Sequence, residues 1–490
     1  MADSLDSLQR IRDFSGGMNT EVIDALTPMN TMRLVQNMDT DVIGALRVRR
    51  GTVAIGNQIQ DNKSCLGLYN FRDSGSGTNN RQIAVFNNSG DTNAITSYNS
   101  SGTWTAISGG SSFAASAKHR FATFLDYVFL VNSNFVEPKS WNGDTATSWG
   151  TTNLASAPAG QFITVFRSRL YIAGTSAKPD RLYFSSIPST ASTPVITWNT
   201  SDTTGDWLDI NPSDGREGGN ITGLANNGTL LLIFKDRAMY RWNSYATDAD
   251  LIVNVGASSQ ESISTRNGVT FFFNPGGVYA TDGGYPTKLS LPIQRWIDAI
   301  PGTYYTSVSG FTDENHYYCS IGDVTVDSVA YSNVVLIYTI NAKTWAIRTY
   351  PEEILKFAPY VDSDSKEQIM IGNDDGDVQT FNSGSTDAGT SIPYHVVTKR
   401  VDWGTLAYYK TFSDVFLFGN ELPGAQTLIQ TEDEKPRSLR DTLVKWWRRI
   451  QGIKNRGRYF VFELRGYSKA GQGEFVGWEI VDMKLDGMNE

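Results

Sequence analysis

The chain of 490 residues carries 42 basic against 51 acidic side chains, a net charge of −9, with 19 % charged and 12 % aromatic residues. Such a length holds about three average domains or one large repeated architecture, and the apolar and glycine content is too high for a disordered chain. Two cysteines and three histidines far apart in sequence exclude a disulfide framework and a Cys/His zinc motif of local spacing, while the acidic balance argues against a generally cationic nucleic-acid binder.

Met1 to Phe14 holds Asp3, Asp6, Arg10, Arg12 and Asp13 and no apolar run fit for a secretory leader, so export by that route is not expected. After Thr27-Pro28, the residues Met29, Met32, Leu34, Val35 and Met38 predict a short helix. From about residue 60 to 390 one event recurs: a short apolar run, a turn rich in Gly, Asn, Asp or Ser, and a second short run with an aromatic. Ile83 to Phe86 with Ile95 to Tyr98, and Tyr127 to Val131 with Phe135 to Trp141, begin the series. Phe162 to Phe166, Leu170 to Ala173 and Leu182 to Phe184 continue it, as do Thr229 to Phe234 with Ala238 to Trp242 and Val269 to Phe273 with Val278 to Ala280. His316 to Ile321, Val334 to Ile340, Trp345 to Tyr350 and Gln368 to Ile371 with Val378 to Phe381 close it.

These runs make roughly seven units of about 40 to 50 residues, the size of a four-stranded propeller blade. The expected fold is mainly β: a β-propeller of about six or seven blades with a smaller β-rich platform module containing a C-terminal helix. A set of β-sandwiches is the competing arrangement, because no repeat signature ends successive blades. The longest apolar runs, Leu230 to Phe234 and Val334 to Tyr338, reach about five residues where a membrane helix needs about 20, so no membrane-spanning segment is expected.

None of His119, His316 and His395 sits in a nucleophile-elbow or zincin context, and a structural or surface role fits each better. Gly276-Gly277 and Gly283-Gly284 lack the Lys-Ser/Thr of a phosphate loop. Asn373 to Asp377 resembles a calcium loop, but the first and twelfth ligand positions would be Ile371 and Asn382, so Asp375-Gly376 reads as a hairpin turn. Ser201 to Trp207 has the Ser, Asp, Gly and Trp of a sialidase turn out of register. No catalytic, cofactor-binding or metal-ligating residue is identified, and no cofactor is expected.

Pro292 to Ile300, with Ile293, Trp296, Ile297 and Ile300, predicts a helix. A longer one is predicted where Leu439, Leu443, Trp446 or Trp447, Ile450 and Ile453 fall at steps of three and four, opening after Lys435-Pro436 and stopping by about Gly452. Tyr459 to Leu464 and Phe475 to Met483 read as strands. From Lys435 to Arg458 nine basic residues face a single acid, Asp441, among Trp446, Trp447 and Tyr459. Lys445, Arg448, Arg449, Lys454, Arg456 and Arg458 are the candidate protein-interface residues, suited to an acidic partner. A helix with a solvated cationic face is the competing reading, and DNA contact ranks third.

The segments Phe14-Ser15-Gly16-Gly17-Met18-Asn19, Leu34-Val35-Gln36-Asn37-Met38-Asp39 and Gly44-Ala45-Leu46-Arg47-Val48-Arg49-Arg50-Gly51 together resemble the opening of many tailed-bacteriophage virion proteins. Ile221-Thr222-Gly223-Leu224, Leu230 to Lys235, Met239-Tyr240-Arg241-Trp242 and Asn274 to Gly283 are similar to the middle of phage propeller proteins. Arg458-Tyr459, Leu464 and Gly477-Trp478-Glu479-Ile480 resemble their closing strands. The family so resembled is the tail nozzle (head-to-tail stabilisation, or knob) protein of short-tailed phages. The resemblance implies a structural, non-enzymatic virion protein in the tail, assembled in the host cytoplasm. It further implies a homohexameric ring below the tail adaptor that extends the channel for genomic DNA and holds a tail fibre or spike. On this reading residues 1–60 form an N-terminal docking segment, 61–390 the propeller and 391–490 the platform. A glycan-binding or glycan-cleaving propeller of a tail or bacterial surface is the alternative function.

Overall fold

The computed structural model describes residues 8–22, 28–41, 44–74, 77–110, 113–190, 194–210, 219–362, 364–404, 406–412, 414–422, 424–431, 437–440, 447–450, 455–467, 473–481 and 483–486. Strand dominates. The one α-helix among these residues is Gln294–Asp298, entered through a 3-10 turn at Leu291–Ile293 and burying Trp296 and Ile297, where the apolar spacing puts it.

Seven antiparallel meanders follow one another among the described residues. The first contains Cys65–Phe71, Arg81–Asn87 and Asn93–Ser100, with Thr103–Ala106 and Phe113–Ala114 both paired to Asn93–Ser100; the second contains His119–Phe124, Tyr127–Asn132 and Lys139–Trp141. Gly160–Phe166, Arg169–Thr175, Arg181–Phe184 and Trp207–Asp209 form the third, and Ile221–Asn226, Leu231–Lys235, Met239–Trp242 and Asp250–Val253 the fourth. The fifth is Ser264–Arg266, Val269–Asn274, Gly277–Thr281 and Thr287–Lys288. Ser309–Thr312, His316–Val326, Val329–Thr339 and Thr344–Thr349 make the sixth; Ile354–Val361, Glu367–Asn373 and Val378–Phe381 belong to the seventh. First strands of successive meanders pack side by side, and that of the seventh packs back on that of the first. The chain is therefore a closed β-propeller, whose seventh blade takes its fourth strand, Val53–Ala54, from the N-terminal segment through Thr380↔Val53 and Gln379↔Ala54.

Local sequence sets the hairpins. Leu125-Asp126, Arg167-Ser168, Asn267-Gly268 and Asp327-Ser328 each hold two successive positive φ angles between directly paired residues such as Phe124↔Tyr127. That geometry matches the right-handed twist of the flanking strands. Between blades lie apolar layers: Phe162, Tyr171 and Leu182 against Leu224, Ile233 and Tyr240 between the third and fourth, and Leu68 and Ala84 against Ala358 and Met370 between the first and seventh. The layer between the fifth and sixth runs on from Phe273, Tyr317 and Trp345 into Phe14, Val35, Phe462 and Trp478 of the two end segments.

Those end segments build the second β-rich body together. Leu8–Arg12 lies antiparallel to Glu474–Val481, which also pairs with Leu46–Val48 and Asp414–Asn420. Met32–Gln36 lies between Thr344–Thr349 of the sixth blade and Pro393–Thr398, so that one nine-stranded sheet continues from the propeller through Phe460–Tyr467 to Gln426–Thr431 and Arg437–Arg440.

Two helix expectations fail. Met32–Gln36 and Met38–Asp39 are strands: Met32–Gln36, paired on both sides, buries Met32, Leu34 and Val35, and this crowding of apolar positions imitates a helical stripe. Residues 23–27 lie outside the described residues. The C-terminal helix is replaced at Arg437–Arg440 by a strand on Gln426–Thr431, and at Trp447–Ile450 by one on Asp414–Asn420. Ladder hydrogen bonds and the β preference of Trp447 and Ile450 prevail there over spacing; Leu443, Trp446 and Ile453 lie outside the described residues.

Candidate functional site

Of the six predicted interface residues, Lys445 and Lys454 lie outside the described residues. Arg448 and Arg449 occupy Trp447–Ile450, opposite Leu417 and Phe416. Arg456 lies in Asn455–Gly457, opposite Thr411 of Tyr409–Phe412, and Arg458 follows that strand. The guanidinium groups of Arg456 and Arg458 stand 4.6 and 4.9 Å from the Tyr409 ring centre, and Arg400 lies 4.9 Å from that of Tyr459. Beneath them Lys410 is fully buried, its Nζ donating to the carbonyls of Arg458 at 2.6 Å and Tyr408 at 3.1 Å. Arg400 and Arg456 are exposed, and Leu406 and Tyr408 beside them are exposed hydrophobics. The result is a cationic corner backed by aromatic rings. Sequence reading missed Arg400, Tyr409 and Lys410, because only strand register brings residues some 50 positions upstream beneath the basic run.

A site of opposite charge sits on the seventh blade. Asn373 Oδ1 accepts the backbone N–H groups of Asp375 and Asp377 at 3.3 and 2.9 Å, and Gly376 takes φ +90°, so the hairpin reading of this segment holds. Glu352 and Glu353 approach the turn from the start of the same blade, and Glu353 N–H donates to Asp374 Oδ1 at 2.9 Å. Burial, then Asp374, pushes the Glu353 carboxyl up to about 7. Glu352 and Asp377 are raised by the same two causes, burial first and acidic neighbours second. Among the described residues no ion pair reaches these acids. Glu352, Asp375 and Asp377 line a cavity of about 170 Å³ with Thr52, Gln379 and Asp387. Burial and mutual repulsion favour the protonated form of Glu352, Glu353 and Asp377.

The propeller axis is crossed by side chains. Glu261, ahead of the fifth blade's first strand, pairs with Arg120 of the second at 2.9 Å, Lys356 of the seventh at 3.3 Å and Lys118 at 3.6 Å. First strands of blades that are not neighbours in the ring meet only at its centre. Burial pushes Lys356 down to about 8 against the pull of Glu261, while the surrounding cations overcome the burial of Glu261 and hold its carboxyl well below its usual range.

At the seam of the two bodies, Arg49 donates to both Asp387 oxygens at 2.8 and 2.6 Å and to Asn37 Oδ1 at 2.8 Å, with its guanidinium 4.1 Å from the Tyr350 ring centre. Asn37 in turn accepts from Thr349 N–H at 2.9 Å and donates to the Pro393 carbonyl at 2.7 Å. A Cβ on Gly51 would stand 1.9 Å from the Thr386 carbonyl oxygen, so only glycine fits there. Arg348, 2 % exposed, binds both oxygens of Asp39 at 2.9 Å. His316 places Nε2 2.8 Å from Asp41 Oδ1 and Nδ1 3.5 Å from Asp313 Oδ1. Burial alone would lower its pKa; the bonds to Asp313 and Asp41 outweigh it and hold the ring at about 9.

Elsewhere the chemistry is structural. His119 is buried and pushed down to about 4, chiefly by burial, and is neutral at physiological pH. His395 accepts from Arg465 Nε at 3.2 Å and lies 3.5 Å from Glu463. Cys65 and Cys319 are buried free thiols raised to about 12 by burial, unfit as nucleophiles. Asp202 of the sialidase-like turn and Asp209 of the strand after it are both bound by Arg181 at 2.6 Å. Among the described residues no group of three or more His, Cys, Asp or Glu side chains is placed to hold a metal ion, and no helix is long and apolar enough to cross a membrane.

No protein-family model matches the chain, and no curated protein does. Among solved structures it is similar to a chain of the mitotic checkpoint complex, with 10 % identity over 68 % of this chain and 93 % of that one, at a TM-score of 0.41. It is also similar to the Pan2 WD40 domain of Neurospora crassa (6 % identity, 68 % and 94 % covered, TM-score 0.39) and to the N-terminal domain of Nup159 (11 % identity, 71 % and 98 % covered, TM-score 0.36). At these values the likeness adds nothing to what the closed ring of blades establishes by itself.

Proposed function

We propose that this chain is a structural virion protein of a phage tail. It is a nozzle subunit that assembles head-to-tail into a ring below the adaptor, extends the DNA channel, supports a fibre or spike, and performs no catalysis. The observation that carries this reading is where the nozzle-like residues sit. Asn37, Arg49 and Gly51 form the lock that joins the N-terminal segment, the sixth and seventh blades and the C-terminal strands. Gly17 and Met18 join them: Gly17 takes φ +61° against Thr344, and Met18 N–H donates to the Trp345 carbonyl at 2.9 Å. The resemblance thus falls on residues that set one body on the other.

Ring formation draws support from charge. One chain carries both the exposed cationic corner at Arg400 and Arg456 and the acidic cluster at Glu352, Glu353, Asp375 and Asp377, which no ion pair reaches among the described residues. A heterologous contact between two such patches closes into a ring when the rotation between neighbours permits. The ion cluster at Glu261 crosses each propeller's own axis, so on this reading the DNA channel is the opening of the ring of subunits.

The test is negative-stain imaging and native mass measurement of the purified protein, alone and with tail components. A six-membered ring seated on tails is expected; Arg456→Glu leaves subunits dispersed, and Asp375→Lys in the Arg456→Glu chain restores the ring. A chain that stays monomeric with tail components, and is absent from tails, overturns the proposal.

A further inference from the structure

Across the first blade, Asn70 pairs in register with Gln82, and Gln82 with Asn99, so three amides form one row over three adjacent strands. The row continues an apolar face. Two residues inward on the same strand faces, Leu68 and Ala84 are packed with Trp104 against Ala358 and Met370 of the seventh blade. Where that layer ends, the two blades part into an open cavity of about 480 Å³ lined by the three amides, Arg72 and Arg81 on one side and Tyr360 on the other. The Tyr360 hydroxyl is engaged with Thr380 Oγ1 at 2.7 Å, which pins the ring at the cavity wall.

The polar lining is partly engaged. Arg81 gives Nη1 to the carbonyls of Thr78 and Asn80 at 3.0 and 2.8 Å, and Asn99 Oδ1 accepts from Gly102 N–H at 3.0 Å. Asp362, the one acid among the described residues lining the cavity, is committed to the N–H groups of Asp364 and Lys366 and to Gln368 Nε2. The volume falls within the roughly 300–1,000 Å³ of small-ligand sites.

We infer that this cavity between the first and seventh blades is a carbohydrate-binding groove. A side-chain amide presents donor and acceptor together, which suits vicinal hydroxyls that both give and take hydrogen bonds. A fixed tyrosine ring gives the C–H face of a pyranose an apolar surface, and the two arginines add donors for ring and hydroxyl oxygens. The inference is independent of the ring proposal, since it uses neither the cationic corner nor the acidic hairpin.

An array of bacterial surface oligosaccharides, neutral and uronate-containing, is probed with the full chain, and hits are titrated by calorimetry. At least one saccharide is expected to bind, with Asn70→Ala and Gln82→Ala each weakening it about tenfold while the melting temperature stays that of the parent, and with Tyr360→Phe, which keeps the ring, retaining binding. Arg72→Ala selectively weakening uronate-containing members marks an acidic saccharide; equal effects on both arms mark a neutral one. Absence of binding in both arms, or binding indifferent to the Asn70→Ala/Gln82→Ala double variant with its fold intact, overturns the inference.

Discussion

Replacing Glu261 with Gln removes the one carboxylate that Lys118, Arg120 and Lys356 share. Arginine side chains do not shed their proton in proteins, so the broken pair with Arg120 sets the main cost. Removing one partner of a buried pair costs about 3–5 kcal/mol. Arg120 keeps the Gln161 carbonyl at 3.0 Å and the Phe162 ring at 4.6 Å, which places it near the lower figure. Lys356 escapes by releasing its proton. With its pKa at about 8, it loses at pH 7 no more than the worth of one unit, about 1.4 kcal/mol; at pH 9 it is already neutral in the parent and contributes nothing. The expected penalty is therefore about 4 kcal/mol at pH 7 and about 3 kcal/mol at pH 9. At about 1.4 kcal/mol per decade, amide protection in His119–Phe124 and Ile354–Val361 falls about a thousandfold at pH 7 and about a hundredfold at pH 9, as read by native-state hydrogen exchange. A loss under tenfold at pH 7, or an equal loss at both pH values, refutes the reasoning.

Asp387→Asn leaves the buried Arg49 guanidinium without its carboxylate, and a penalty of about 3–5 kcal/mol is expected in chemical unfolding of the seam. Gly51→Ala drives a Cβ into the Thr386 carbonyl, and an increased rate of limited proteolysis ahead of Val53–Ala54 is the expected readout. For His316 the folded pKa of about 9 exceeds the ordinary 6.5, so its contribution is complete below about 6.5 and is lost as pH rises through about 9. The gap sets a ceiling of about 3 kcal/mol, reduced because Asp41 is 44 % exposed; thermal unfolding between pH 6 and 10 should show the decline, and His316→Gln should flatten it.

Much of the propeller was legible because its second and third strands announce themselves. Ile83 to Phe86, Tyr127 to Val131 and Val269 to Phe273 are buried in inter-blade layers and bounded by turns that need Gly, Asn or Asp. First strands such as Ser264–Arg266 and Ser309–Thr312 carry no such signal, being short and polar, and take their place from ring closure. Helical spacing misled at 29–38, and at 439–440 and 447–450 of the C-terminal run, where apolar neighbours serve strands paired on both sides or bound to distant ladders. The cationic corner was half readable: Arg456 and Arg458 stand in the basic run, while Arg400 and Tyr409 reach it only by register. The acidic hairpin was seen as a turn, but the crowding of its carboxylates depends on Glu352 and Glu353, some 20 residues upstream.

The strand Val53–Ala54 and the pairing of Leu8–Arg12 with Glu474–Val481 also bear on the order in which the molecule comes into being. Partners hundreds of residues apart make contacts whose loop-closure entropy is met late, and such topologies fold slowly. During synthesis the early strands have no ladder to join until the seventh blade and the last strands have emerged, so the edges of Val378–Phe381 and Glu474–Val481 receive them only near the end. The body bearing Arg456 exists only once both ends of the chain have met. A nascent chain therefore cannot present its cationic corner before both end segments are in place.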